Sequence, residues 1–365
     1  MRILMVTFDF QTEMGGMEGR AIAYTKRLLA KGIHVELAAL AKGQKESQGP
    51  FLGTRMVRLS SSTPRLPSSI LALVSMMRDS SLDCVFMLSG GSTVLGNLIL
   101  GFSRLTRRRS GVFFYGKDIL HSRRRVARRM TLVMSILLAD RVATNSRYTA
   151  SILPIRPRRA PVIVYPGVEK DIAAGTTGSL RDPSHPRILF VGRLVSRKGV
   201  DLLLRAFSEL HLEFPGARLD IVGDGPEMNS LRSLTGTLGL ADVVSFHGAL
   251  YGPKLWARYA EASLFVMPSR QSPDDVEGFG TVFLEAGVFG VPSVGTRTGG
   301  IPEAVADGIT GTLIDDDDTV GLRKEISSLL EDPVRRMQLG SNAREHVADF
   351  TWESSTNGVL QLLRD

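Results

Sequence analysis

A single cysteine, Cys84, stands in a chain of 365 residues, so no intramolecular disulfide can form; its Asp83-Cys84-Val85-Phe86 setting reads as buried strand. A cytoplasmic location is the default expectation. Long apolar runs are missing too. The opening Met1-Arg2-Ile3-Leu4-Met5-Val6-Thr7 reaches Asp9 before a secretory signal develops, and Val94 to Phe102 is too short to span a bilayer. The six histidines, at positions 34, 121, 185, 211, 247 and 346, never fall at the short spacing of a metal-ligand pair. The run Asp315-Asp316-Asp317-Asp318 lacks the glycine and terminal glutamate of an EF-hand and reads as a helix start with capping acids. No metal centre is expected. Gly15-Gly16 is not part of a G-x-G-x-x-G run, and no acid closes a strand near Val35–Leu40, so a dinucleotide fingerprint is absent as well.

What is present is an ordinary globular composition, 43% apolar and 22% charged, in a chain long enough for two domains of roughly 150 to 190 residues. The formal charge of +8 is uneven. Arg104, Arg107, Arg108 and Arg109 are followed closely by Arg123, Arg124, Arg125, Arg128 and Arg129. No aromatics interleave with them, and no zinc-finger, RNP or helix-turn-helix signature accompanies them, so nucleic acid is not an expected partner. A solvated basic face and a contact with anionic lipid or a polyanionic acceptor both remain open.

Short apolar runs alternate with helical patterns along the whole chain. Strands are expected at Arg2–Thr7, Val35–Leu40, Cys84–Leu88, Gly111–Phe114, Arg141–Thr144 and Val162–Tyr165. Pro154, Pro157, Pro161 and Pro166 then approach a stretch, Lys170–Pro186, rich in Gly, Ser, Thr, Asp and Pro. A second series follows at Arg187–Gly192, Leu219–Gly223, Val243–Gly248, Leu264–Pro268, Val291–Val294 and Thr312–Ile314. Strand-helix alternation makes parallel sheets the natural solution, and two Rossmann-like α/β domains facing across a cleft are expected. The boundaries read as residues 1–168, a linker at 169–186, a second domain at 187–348 and an end segment at 349–365. Thr351 can cap a last helix whose stripe of Trp352, Val359, Leu360 and Leu363 must be buried somewhere, and the first domain is the expected surface.

The chemistry concentrates in Asp274-Asp275-Val276-Glu277-Gly278-Phe279-Gly280-Thr281-Val282-Phe283-Leu284-Glu285-Ala286. If a helix starts near Phe279 or Gly280, Glu285 lies about one and a half turns in, on the side of Thr281. Glu277 lies just outside the first turn, whose free N–H groups favour an anion such as a phosphate. Arg193 and Lys198 follow the end of the second domain's first strand and read as a phosphate site built from cations. A phosphorylated, hydroxyl-rich ligand satisfies both sets of groups.

Val191-Gly192-Arg193-Leu194 with Lys198-Gly199, Val222-Gly223-Asp224-Gly225-Pro226, Phe246-His247-Gly248, Pro268-Ser269, Glu277-Gly278-Phe279-Gly280 to Glu285-Ala286 and Gly299-Gly300-Ile301-Pro302-Glu303 occur in that order. Together they resemble the GT-B retaining glycosyltransferases of the glycogen-synthase-like, glycosyl transferases group 1 class. The resemblance covers nearly the whole second domain; in the first it is weaker, through Gly15-Gly16 and Pro166-Gly167-Val168-Glu169. It implies a GT-B fold in which the second domain holds a nucleotide-activated hexose, UDP- or GDP-linked, and the first holds a saccharide, lipid-linked or other glycoconjugate acceptor. Arg193 and Lys198 would hold the departing diphosphate and Glu277 the sugar hydroxyls. Glu285 would take the ribose hydroxyls, and Gly278, Phe279 and Gly280 would lie along the sugar and phosphates. Gly16 would approach the donor from the other domain, and loops at Gly225 and His247 would receive the base. No cofactor and no metal are implied.

One departure is plain. Relatives carry His-Gly-x-Asp where this chain has Tyr115-Gly116-Lys117-Asp118, and a tyrosine is neutral and a poor base near pH 7. Tyr115 is therefore expected to orient donor or acceptor, with Asp118 either beside it in that task or serving as a helix-start residue. An epimerase or phosphorylase of the same fold, or a catalytically silent sugar-nucleotide-binding module, is the alternative. The leading expectation is a cytoplasmic enzyme of cell-envelope polysaccharide or glycoconjugate assembly, peripheral at the inner membrane face through the Arg107–Arg129 region.

Overall fold

The computed structural model describes residues 1–8, 16–41, 48–51, 54–60, 73–123, 125–173, 182 and 184–364. They form two compact units, one made of Met1–Pro166 with Trp352–Asp365 and the other of Gly167–Thr351.

Unit 1 is built on an eight-stranded sheet in the order β3-β4-β2-β1-β5-β6-β7-β8. Its strands are β1 (Arg2–Thr7), β2 (His34–Ala41), β3 (Gln48–Phe51), β4 (Thr54–Ser60), β5 (Cys84–Met87), β6 (Arg109–Phe114), β7 (Arg141–Thr144) and β8 (Val162–Ile163). Every pairing is parallel except β3 with β4. Ile3–Val6 lie between Val35–Ala38 and Cys84–Met87, so β1 is central and apolar on both faces. Alternation sends Ile3 and Met5 towards α1 (Gly16–Ala30) and α14 (Trp352–Arg364). Leu4 and Val6 face α2 (described over 73–78), α3 (Val94–Leu105) and α5 (Val126–Leu138). A short α4 (Gly116–Ser122) follows β6, and α6 (Arg147–Ser151) follows β7.

Strands β3 and β4 were not expected from sequence. Gln48-Gly49-Pro50-Phe51, at the sheet edge, carries a glycine and a proline, which an edge tolerates, and β4 inside it carries Arg55 and Arg58; these residues disguise both strands. The last strand is shorter than expected: β8 stops at Ile163, although Val164 N–H still donates to Thr144 O at 2.8 Å. The final helix, α14, buries Val359, Leu360, Leu362 and Leu363 in unit 1. Tyr24 Oη lies 2.8 Å from Ser355 Oγ, which donates to Tyr165 O at 2.6 Å.

Unit 2 is a wholly parallel six-stranded sheet in the order β11-β10-β9-β12-β13-β14. Its strands are β9 (Arg187–Val191), β10 (Arg218–Val222), β11 (Val244–Phe246), β12 (Leu264–Met267), β13 (Ser293–Thr296) and β14 (Gly311–Ile314). The helices that position the site are α7 (Val200–Glu213), α8 (Met228–Thr237), α9 (Pro253–Glu261), α10 (Thr281–Val288) and α11 (Ile301–Ala304), with α12 (Thr319–Glu331) and α13 (Pro333–His346) beyond them. Counted within the unit, the strand order is 3-2-1-4-5-6, the doubly wound Rossmann order. Its direction reverses between β9 and β12, and the crevice for ligands lies beyond the carboxyl ends of those two strands. Asp318 caps α12 by accepting from Gly321 N–H, which explains the acidic run.

The expected linker at 169–186 needs correcting at its start. Val168 forms a bridge with Thr351 and its N–H donates to Phe350 O at 3.0 Å, while Lys170–Ala173 make a 3₁₀ turn against α9 and α10. These residues are folded onto unit 2, because backbone pairing with the 350–351 segment satisfies groups that a free linker would leave to water.

Candidate active site

The loops at the switch point are fixed by glycines where backbone meets backbone. Gly223 has φ +140°, and a Cβ there would lie 1.8 Å from Gly192 O; a Cβ on Gly225 would lie 2.3 Å from Leu194 O. Leu194 N–H donates to Asp224 O at 2.9 Å, so the loops after β9 and β10 are joined as one platform. Gly225 therefore has a packing reason to be glycine. Beyond the platform, Ser196–Lys198 form a single 3₁₀ turn, and Gly199, at φ +69°, passes under Pro268 O.

That turn brings Lys198 onto Glu277. Lys198 Nζ lies 2.5 Å from Glu277 Oε2 and 3.2 Å from Met267 Sδ at the end of β12. Arg197 completes the cluster: Nη1 donates to the same Glu277 oxygen at 3.1 Å, and Nε lies 3.1 Å from Asp275 Oδ2. All of these side chains are largely removed from solvent. Burial by itself would push the Glu277 carboxyl up, but Lys198 and Arg197 outweigh it and hold it at about 2. Arg193 is exposed and pairs with no acid among the described residues. Two cations, Lys198 and Arg197, thus meet two carboxylates, Glu277 and Asp275.

The backbone that carries Glu277 is backed by the glycine pair after β13. A Cβ on Gly299 would lie 2.3 Å from Glu277 O, and one on Gly300 would lie 2.2 Å from Gly278 O. Gly300 N–H donates to Glu277 O at 2.9 Å. Gly280, at φ +89°, is the N-cap of α10; no side chain caps that helix, and within its first turn Phe283 N–H turns back to Gly280 O at 3.0 Å. Phe279 is buried, with its ring against Phe350, 5.6 Å between centroids. Glu285, one turn into α10, accepts from the buried Tyr259 Oη at 2.8 Å through Oε2. Burial raises its carboxyl and this hydrogen bond lowers it, burial prevailing.

Other expected site residues are placed differently. His247 is tied by Nε2 to the buried Asp220 Oδ1 at 2.6 Å, with Arg187 on the other carboxylate oxygen, so half of its ring already serves the sheet. Asp118 accepts from Tyr115 N–H at 3.0 Å and works as the helix-start residue of α4. Tyr115 is buried, stacked on Phe113 at 4.8 Å, with the Arg20 guanidinium 5.0 Å from its ring centroid. Gly16 is the first residue of α1; Gly15 lies outside the described residues. Sequence reasoning passed over Arg197, Tyr259 and Arg20. The first was legible in principle, since Asp275 and Glu277, two apart, call for more than one cation.

A doubly wound sheet with cations, a carboxylate and an uncapped helix start at its switch point, joined in one chain to a second Rossmann-like unit, defines the GT-B fold class. The family model described as Glycosyl transferases group 1 matches residues 178–346. Among curated proteins, the chain is 33% identical over 373 residues to the GDP-mannose-dependent alpha-(1-6)-phosphatidylinositol monomannoside mannosyltransferase of Mycolicibacterium smegmatis, covering 98% of this chain and 96% of that one. Among solved structures it is similar to sucrose-phosphate synthase from Thermosynechococcus elongatus, with a TM-score of 0.79 at 22% identity over 100% of this chain and 98% of that one. It is similar also to Anabaena HepE in complex with UDP and glucose, with a TM-score of 0.79 at 19% identity over 100% of this chain and 99% of that one. The chain belongs to the glycosyl transferases group 1 family. It is a glycosyltransferase that moves a hexose from a nucleoside-diphosphate sugar to an acceptor.

Proposed function

We propose that the hexose is mannose, that the donor is GDP-mannose and that the acceptor is a glycosylated phospholipid of the cell envelope, reached from the cytoplasmic face of a membrane. The observation that carries this reading is the match along 98% of the chain to an enzyme that uses GDP-mannose on phosphatidylinositol monomannoside. Lys198, Arg193 and the first turn of α10 receive the negative charge that develops on the diphosphate. Glu277, held ionised by Lys198 and Arg197, accepts from sugar hydroxyls. Glu285 keeps Oε1 for the ribose. The bond from the anomeric carbon to the diphosphate oxygen breaks and the acceptor hydroxyl oxygen bonds to that carbon on the same face. Its proton passes to the departing phosphate oxygen, and the anomeric configuration is retained. Incubation with GDP-mannose or UDP-glucose and phosphatidylinositol monomannoside, followed by measurement of released nucleoside diphosphate, tests the assignment. Release of GDP with an α-mannoside product is expected; release of UDP and none of GDP would overturn it.

The membrane reading is supported by a surface on unit 1. Helices α3 and α5 lie side by side, with Asn97 Nδ2 donating to Thr131 O at 3.0 Å. Their outer faces expose Val94, Leu98 and Leu105 from the one and Val126 and Met130 from the other, all above 60%. Arg104, Arg107, Arg123, Arg125, Arg128 and Arg129 are exposed among them, whereas Arg108 turns to Asp79 O and Arg109 to Leu363 O and Arg364 O. Apolar side chains ringed by cations suit an anionic bilayer surface, where each cation is worth about 1 kcal/mol. Among the described residues no helix is long and apolar enough to cross a membrane. Sedimentation with vesicles containing anionic lipid is expected to carry the protein down. The double substitution Leu98→Asp with Met130→Asp is expected to leave it in the supernatant; equal sedimentation of both proteins would remove the surface from consideration.

A further inference from the structure

Among the buried polar atoms of unit 1 that make no hydrogen bond, three lie at one edge of its sheet. Tyr115 and Asn145 each stand one residue beyond the carboxyl ends of neighbouring strands, since Phe114 of β6 pairs with Thr144 of β7. Strand alternation places Tyr115 on the face of Phe113 and Asn145 on that of Ala143, and both of those residues belong to the apolar layer beneath α1 and α14. From α1, Arg20 comes down onto the same face, one turn ahead of the buried Tyr24, and its guanidinium lies 5.0 Å from the Tyr115 ring centroid. Arg20 and Tyr115 are each 8% exposed and Asn145 is 4% exposed. Arg20 Nη1, Tyr115 Oη and Asn145 Oδ1 make no hydrogen bond of ordinary geometry, although Arg20 reaches the Tyr115 hydroxyl closely enough to pull its titration down, and no carboxylate pairs with Arg20 among the described residues.

An arginine buried without a counter-charge is costly, and a carboxylate or an apolar residue of similar volume would be the cheaper solution for stability alone. The cost is understandable if an anion from outside completes the set. We propose that Arg20 and Tyr115, with Asn145 beside them, form an oxyanion subsite for a phosphate group whose bearer carries a hydroxyl. The guanidinium supplies charge and a directed N–H, the phenol supplies a second donor, and the Asn145 carbonyl accepts from the neighbouring hydroxyl. Tyr115 gains a task suited to a neutral phenol, and burial, which pushes that phenol upward against the lowering influence of Arg20, keeps it protonated as the task requires.

A phosphate can arrive here on the donor's diphosphate or on a phospholipid acceptor; only that question of source rests on the transferase reading above. Full-length protein, with and without saturating GDP, is titrated with inorganic phosphate in a calorimeter, as wild type, Arg20→Met and Tyr115→Phe. Phosphate uptake by the wild type is expected, with affinity about tenfold lower in Arg20→Met and about threefold lower in Tyr115→Phe. Tyr115→Phe removes only a hydroxyl, so a failure of Arg20→Met to fold would still leave a decisive variant. GDP affinity is measured on the same proteins without phosphate. If it falls together with phosphate binding, the subsite holds the donor's diphosphate; if it is unchanged while phosphate binding is lost, the group belongs to the acceptor. Wild-type affinity for both ligands in both variants, or no phosphate uptake by the wild type together with unaltered GDP affinity in the variants, overturns the proposal. A wild-type protein that binds no nucleotide but still binds phosphate through Arg20 would instead sink the donor assignment alone.

Discussion

Glu277→Gln is expected to lower kcat about 10²-fold or more while leaving the protein folded. Glutamine keeps the shape and one acceptor oxygen, so Lys198 and Arg197 retain a hydrogen-bond partner, whereas alanine would leave two buried cations facing each other with only Asp275 to balance them. What glutamine removes is the charge that strengthens the grip on sugar hydroxyls as the anomeric carbon becomes electron-poor. The substitution also has a signature in stability. Because the folded carboxyl is held at about 2, below its ordinary 4.5, the ionised cluster stabilises the protein above that ordinary range, and its contribution is lost as the pH falls from there through about 2. Acid unfolding of the wild type should therefore show a component in that window that Glu277→Gln lacks. Identical kcat and identical acid unfolding in the two proteins would show that the carboxylate is a bystander.

Lys198→Ala is expected to reduce kcat/KM for the nucleotide sugar about 10²- to 10³-fold, through both weaker donor binding and slower transfer. The lysine is placed by three separate features: the 3₁₀ turn Ser196–Lys198, the passage of Gly199 under Pro268 O and the contact with Met267 Sδ. Such a fixed ammonium need not reorganise when the diphosphate departs, which is why it is worth more than a mobile surface cation. Arg197 remains on Glu277 in this variant, so the carboxylate keeps one partner and the fold is preserved. Lys198→Arg should not restore the rate, since a guanidinium is larger and its fork cannot occupy the space between Met267 and Glu277. Steady-state kinetics at varied donor concentration decide the matter, and an unaltered kcat/KM in Lys198→Ala would take the lysine out of the mechanism.

Most strands of both sheets were readable because parallel strands covered on both faces, such as Ile188–Val191 or Cys84–Met87, are continuous apolar runs. The antiparallel pair of β3 and β4 was not, since its glycine, proline and arginines share their composition with loops. Within the site, Glu277 and Lys198 stood out by their setting, an acid before an apolar helix and a base before a glycine. Arg197 was hidden by adjacency: of three basic residues within six positions, only the turn geometry decides which pair faces the acid. Arg20 was less visible still. Between Gly19 and Ala21 on a helix it reads as a solvated cation, and only the structure shows that it is enclosed.

The placement of α14 has a consequence for how the polypeptide matures. Unit 2 is continuous in sequence, but unit 1 lacks a wall of its apolar layer until Val359, Leu360, Leu362 and Leu363 arrive from the far end of the chain. During synthesis the earlier-made half must wait as an unfinished intermediate while the later-made half, from Gly167 onward, closes on its own. The order of completion is thus the reverse of the order of translation, and the closing helix acts as the keystone of the portion that emerged first.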